Sequence, residues 1–261
     1  MYGLQLAFYR FVALDNFKEL RSEFFSTLKS LEMRGTVLLA HEGMNGGVAG
    51  TTEAVEKFQA YLDARYPGAS YKKNPIEAIP YKRLLVKLKK EIVTMGVPEM
   101  SPPLVDAPRI QPKQLREWLD QGKEIVLLDT RNDYEVEVGT FEGAHAIGIN
   151  HFRHFPKKAQ ELVADMGNKT VVSFCTGGIR CEKAAPYLQS IGFKDVYQLD
   201  GGILRYFEEE GGAHWNGDCF VFDHRTALTP ELLPSGAIIC QSCHNVVDKK
   251  FAGHCPRCET K

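Results

Sequence analysis

Thr170 to Glu182 reads Thr-Val-Val-Ser-Phe-Cys-Thr-Gly-Gly-Ile-Arg-Cys-Glu. No other stretch restricts the fold as much. Thr170 to Phe174 are β-branched or aromatic at most positions, the composition of a central strand. From Glu182 onward, Ala184, Ala185, Leu188 and Ile191 recur at helical spacing. A strand that passes through a glycine loop directly into a helix is a unit of an open α/β sheet. Ligands bind at the carboxyl edge of such sheets, and Cys175 stands at that edge.

The loop favours a reactive thiol. Gly177 and Gly178 let the backbone turn its N–H groups inward without Cβ clashes. N–H groups gathered at a helix N-terminus stabilise negative charge, and Arg180 adds a permanent positive charge. Together they predict a Cys175 pKa below the free value of about 8.5. The competing reading is a buried, inert cysteine, which would have no use for the neighbouring glycines and arginine.

The run Cys175-Thr176-Gly177-Gly178-Ile179-Arg180 resembles the Cys-x-x-Gly-x-Arg active loop of rhodanese-like domains. Four residues separate Cys175 from Arg180, one fewer than in the phosphatase relatives, so the loop resembles the sulfur-handling kind. Cys181 follows the arginine directly, and Glu182-Lys183-Ala184 come next. That fuller string is similar to the rhodanese-domain tRNA uridine hydroxylases. The resemblance implies conversion of wobble uridine to 5-hydroxyuridine, with tRNA as partner and dioxygen as co-substrate. It implies Cys175, Arg180 and Cys181 as the catalytic set, with Thr176 to Ile179 as the active loop. The alternative activity is a sulfurtransferase carrying a Cys175 persulfide. Thr176 weakens it, because many thiosulfate-using relatives have a basic residue there. Cys181 stands where a hydroxyl residue is usual. It suits resolution of an oxidised or persulfidated Cys175, or else packing at the helix start.

A chain of 261 residues suggests two domains with an appendage. There is no run of 18 apolar residues and no basic region with a cleavage site at the N-terminus. Seven cysteines, odd in number and clustered late, argue for reduced thiols and a cytoplasmic setting. No flavin or nicotinamide fingerprint and no facial triad for iron is evident. Nothing in the sequence fixes the oligomeric state.

Residues 1–95 are expected to form a ferredoxin-like (acylphosphatase-like) α+β domain of order β-α-β-β-α-β. Strands are expected at Leu4 to Val12, Thr36 to Ala40 and Arg83 to Val93, with extended structure resuming at Val48-Ala49. A helix capped by Asp15 carries Phe17, Leu20, Phe24, Leu28 and Leu31, and a second opens at Thr51. His41 to Gly47 reads as a turn-rich connection. In the last strand Leu84, Val86 and Leu88 point one way and Arg83, Lys87 and Lys89 the other. With Lys72, Lys73 and Lys82, and with Tyr71 and Tyr81 nearby, this is a candidate RNA-binding stripe. The competing reading is a solvated edge that discourages aggregation.

Residues 96–112 are proline-rich and read as a linker. Residues 113–212 read as a rhodanese-like parallel α/β domain. Asp129-Thr-Arg131, Tyr134-Glu135 and Gly143-Ala-His-Ala-Ile147 resemble a second signature of that family, in which Asp129 and Arg131 brace the domain. An ordinary surface ion pair is the other reading of Arg131. Asp200-Gly-Gly-Ile203 matches the end motif.

Residues 213–261 form a small cysteine-rich extension. Cys219 is expected to be structural, and Asp223 and Arg225 to pair or to line the site. Cys240-Gln-Ser-Cys243 and Cys255-Pro-Arg-Cys258 are separated by eleven residues. Two such knuckles suit a structural zinc with four thiolate ligands, and a segment this small needs a staple. A reduced, disordered tail and a dithiol redox pair are the competing readings. His244 and His254 are spare ligands.

Overall fold

The computed structural model describes residues 3–100, 107–243, 245–248, 255 and 258. Pro102 and Pro103 of the expected linker, and the spare ligands His244 and His254, lie outside them. The chain divides into two compact units, Met1–Val105 and Asp106–Lys261.

The first unit runs β1 (Gly3–Phe11), α1 (Phe17–Ser30), β2 (Arg34–Ala40), β3 (Gly43–Gly50), α2 (Thr52–Arg65), β4 (Ser70–Ile76) and β5 (Leu84–Leu88). The sheet order is β4-β1-β3-β2-β5, antiparallel except where β5 joins β2. The helices cover one face. Leu6, Phe8, Val37, Leu39 and Val48 meet Phe24, Leu28, Val55 and Phe58 there in a single core. Thr51 caps α2 by accepting the Ala54 N–H at 3.2 Å.

Three expectations are corrected. Asp15 does not cap α1: Asn16 holds the N-cap position, and the Asp15 carboxylate meets His41 at 3.0 Å. The glycine-rich stretch is not a turn but most of β3, and the turn is confined to residues 41 and 42. Glycine is a poor strand former in isolation, yet here closeness demands it. Gly43 has a φ of +142°, and a Cβ there would lie 2.0 Å from the Arg10 backbone carbonyl oxygen of the neighbouring strand. The fourth strand of the ferredoxin-like order is β4, and the strand expected there is a fifth, β5, ending at Leu88. Pro75 hides β4 from a strand pattern and is tolerated because β4 is an edge.

The second unit opens with β6 (Arg109–Ile110), α3 (Pro112–Asp120), β7 (Val126–Asp129), α4 (Asp133–Val136), β8 (Gly139–Phe141) and β9 (His145–Ala146). It continues with α5 (Phe155–Met166), β10 (Thr170–Phe174), α6 (Cys181–Ser190), β11 (Asp195–Leu199) and α7 (Gly202–Glu210). Its sheet is parallel throughout, in the order β6-β11-β10-β7-β9, with β10 central. Arg109 and Ile110, inside the proline-rich stretch, pair with Gln198 and Leu199; two residues are too few to show a period.

Beyond α7, β12 (Trp215–Gly217) pairs with β8, β13 (Cys219–Phe220) with β14 (Ala227–Leu228), and β15 (Ala237–Ile239) with β16 (Val246–Asp248). No helix among the described residues is long and apolar enough to cross a membrane.

Candidate active site

The central strand β10 delivers Cys175 to the carboxyl edge of the parallel sheet, and α6 begins at Cys181. The intervening loop is anchored from behind by α7. Ile203 N–H donates to the Cys175 carbonyl at 3.0 Å, and Leu204 N–H to that of Thr176 at 3.1 Å. Gly202 makes this approach possible: its φ is +66°, and a Cβ would lie 2.4 Å from the Cys175 carbonyl oxygen.

Gly178 N–H donates to Cys175 Sγ at 3.2 Å. Burial pushes this thiol up. The Cys181 thiol, the Arg180 charge and the backbone N–H groups of Arg180 and Cys181 outweigh burial and bring it down to about 6. Cys181 moves the other way, well above the ordinary range, through burial and the neighbouring Cys175. Of the pair, Cys175 is the thiolate. Cys219, fully buried, is pushed up to about 12 mainly by burial and stays a thiol.

A pKa near 6 leaves roughly ten Cys175 thiolates per thiol at pH 7. The ultraviolet thiolate absorbance lost in Cys175→Ser should therefore titrate with a midpoint near pH 6. A midpoint at or above about 8.5 would show that the loop does nothing to the sulfur. The folded-state value lies below the unfolded one. The associated stabilisation is thus complete above about pH 8.5 and lost as pH falls through about 6.

Arg180 does not point its charge into open solvent. Its guanidinium grips the Glu135 carboxylate twice, Nη1 to Oε2 at 2.6 Å and Nη2 to Oε1 at 2.7 Å. The two side chains are 8% and 0% exposed. Thr176 Oγ1 also donates to Glu135 Oε1 at 3.4 Å. Glu135 is therefore the anchor of the loop, a role that sequence reasoning did not give it. The available signal was its place in the second signature, three residues after Asn132, whose backbone N–H donates to the Glu135 carboxylate at 3.2 Å.

Arg131 is no surface residue. It and Asp129 are fully buried, joined by bonds of 2.9 Å and 2.6 Å, and Arg131 also donates to the Gly139 carbonyl at 2.6 Å. Asp223 and Arg225 pair with each other at 2.8 Å.

A second group missed in the sequence lies on the same sheet edge. The chain leaves β9 there, and Phe152 and Phe155 anchor a turn that leaves His151, Arg153, His154 and Lys157 exposed.

The expected basic stripe of the first unit is divided. Lys72 on β4 and Lys87 on β5 share the face away from the helices but sit on opposite edges, four strand spacings or roughly 19 Å apart. Lys73 faces the helix side. Lys82, Arg83 and Lys89 are exposed around β5, and Leu88 is 38% exposed rather than inside. Tyr71 bonds Asp63 of α2, whereas Tyr81 lies on the open face, accepting from Gln5 at 3.1 Å.

The four late cysteines converge. Cys240 and Cys258 sulfurs are 3.5 Å apart, Cys243 and Cys255 sulfurs 3.7 Å, and all four lie within 4.8 Å of one another. A tetrahedral zinc with bonds of about 2.3 Å needs sulfurs about 3.8 Å apart. The four residues fit such an ion.

The family model described as "UPF0176 acylphosphatase like domain" matches residues 4–92, and the rhodanese-like domain model matches residues 111–209. The chain is 46% identical over 270 residues to a protein of Cupriavidus metallidurans named tRNA uridine(34) hydroxylase, covering 98% of this chain and 96% of that one. The chain belongs to the tRNA uridine(34) hydroxylase family. Another member, from Cupriavidus taiwanensis, is 47% identical with the same coverage. A Burkholderia mallei member is 46% identical over 95% of this chain and 86% of its own. In this hydroxylase-family chain the Cys175 loop, Glu135 and Arg131 all fall inside the rhodanese match. Phe222 and the four clustered cysteines lie beyond it.

Proposed function

We propose that this chain hydroxylates the wobble uridine of tRNA to 5-hydroxyuridine, with Cys175 as the reacting group. The observation that carries the reading is a thiolate held at the end of the central strand in a chain of this family. Addition of the thiolate to the electrophilic C6 of the uracil ring makes C5 electron-rich toward oxygen. The Gly178 N–H holds the sulfur's charge before addition and after release. Dioxygen supplies the hydroxyl oxygen, and a separate donor supplies the two electrons and two protons that take the other atom to water. Cys181, kept protonated, is the resolving thiol if Cys175 becomes oxidised.

Lys72, Lys73, Lys82, Arg83, Lys87 and Lys89 in one unit, and Arg153 and Lys157 in the other, are the proposed phosphate contacts. A wobble base sits in a loop, so presenting it costs less than flipping a base from a duplex. We propose a cytoplasmic setting, which a tRNA substrate supports.

The test is mass analysis of wobble nucleosides in tRNA from cells lacking the chain, with and without its restoration. Loss and recovery of 5-hydroxyuridine derivatives supports the reading. If those derivatives persist while thiolated nucleosides fall, the chain is a sulfurtransferase instead.

Cys240, Cys243, Cys255 and Cys258 are proposed to hold one structural zinc, closed by four thiolates. Metal analysis of the purified chain should find about one zinc per chain, and Cys243→Ser should remove it. Wild-type chain purified from zinc-replete cells with under about a tenth of an equivalent would sink the assignment.

A further inference from the structure

We propose that Phe222 is the platform on which the target base stacks beside the Cys175 loop. The inference rests on the reading that the substrate is a nucleobase of tRNA. At 65% exposure, Phe222 is the most exposed large hydrophobic side chain among the described residues. Its ring nevertheless has aromatic and cationic neighbours. It meets Phe220 edge-on at 5.1 Å and 84°, and Phe220, buried, meets Tyr134 edge-on at 5.3 Å and 80°. Tyr134 belongs to α4, the helix whose Glu135 grips Arg180.

Arg180 closes the circuit: its guanidinium carbon lies 6.0 Å from the Phe222 ring centroid. The turn that presents the ring is held as well. Val221 N–H donates to the Thr226 carbonyl at 2.9 Å, and the Asp223–Arg225 pair braces the residues between. An aromatic face thus stands open to water beside the arginine of the cysteine loop. Unpaired bases dock on such faces, because every base has a π-face and a splayed base has lost its own stacking neighbours. Arg180 is committed to Glu135 on one side and to the aromatic ring on the other. The flat ring, rather than the arginine, is the group left to receive the base.

The experiment uses the full chain and a tRNA with uridine at the wobble position. Wild type, Phe222→Ala, Phe222→Tyr and Phe222→Trp are compared for the catalytic efficiency, kcat/KM, with which they form 5-hydroxyuridine. A second tRNA carries 2-aminopurine at that position, whose fluorescence is quenched by stacking. Phe222→Ala should reduce catalytic efficiency about 10- to 100-fold and abolish the quench, while Tyr and Trp stay within about threefold of wild type. Unchanged efficiency and quench in Phe222→Ala would overturn the inference. Losses in Tyr and Trp as large as in Ala would also overturn it, because the ring would then be packing rather than stacking. A quench that depends on Phe222 supports stacking even if wild type forms no product. That last result counts against the hydroxylase reading alone.

Discussion

Cys175→Ser is expected to lower 5-hydroxyuridine formation by at least about 10³-fold while tRNA affinity stays close to wild type and the chain still folds. The substitution keeps the size of the side chain and leaves the loop's framework intact. The carbonyls of Cys175 and Thr176 still accept from Ile203 and Leu204, and Arg180 still grips Glu135. What changes is ionisation: a hydroxyl in the same ring of donors stays neutral at pH 7, whereas the thiol near 6 is mostly ionised. Single-turnover product formation and filter binding measured on the same preparation separate chemistry from affinity. A serine variant retaining more than about a tenth of the wild-type rate would remove Cys175 from the reaction.

Glu135→Gln should cost about 3–5 kcal/mol of folding stability, a large share of the 5–15 kcal/mol typical of a domain. The carboxylate is fully buried, and losing its charge strands the Arg180 guanidinium beneath the surface. Denaturant unfolding measures the loss. A second substitution, Arg180→Met, placed on top of the first should restore part of it, because the stranded charge is gone. A single-variant cost under about 1 kcal/mol would mean that water reaches Arg180 and that Glu135 is not its anchor. The two predictions are distinct in kind: serine at 175 removes reactivity with the fold retained, whereas glutamine at 135 loosens the fold around an intact sulfur.

The Cys175 loop was legible because its determinants are contiguous. Strand composition, glycines, arginine and helix period all fall between Thr170 and Ile191. Its anchor was not, because Glu135 meets Arg180 only after the sheet brings together residues 45 positions apart. Arg131 shows the same limit: nothing in a one-dimensional pattern distinguishes a fully buried arginine from a solvated one. β3 was misread because glycine's weak strand preference is a local property, whereas the Arg10 carbonyl that requires glycine at position 43 comes from β1. β4 was passed over for its proline, which only an edge position tolerates, and edge position is a property of the finished sheet. Cys219 to Phe222 is too short a stretch to show a period, and the exposure of Phe222 is visible only in three dimensions.

The contrast between Cys175, Cys181 and Cys219 gives the core around the cysteine loop a chemical signature. Three sulfurs are buried there, and the surroundings ionise one and keep two protonated. A small electrophile that enters the loop at neutral pH should therefore mark Cys175 and leave Cys181 and Cys219, and the peptide bearing Cys175 becomes a readout of the loop's condition. Occupancy of that label would fall whenever substrate covers the sulfur or an oxidant has already consumed it. The protein thereby carries a built-in reporter of its own engagement, readable by peptide mapping without purification or an activity assay.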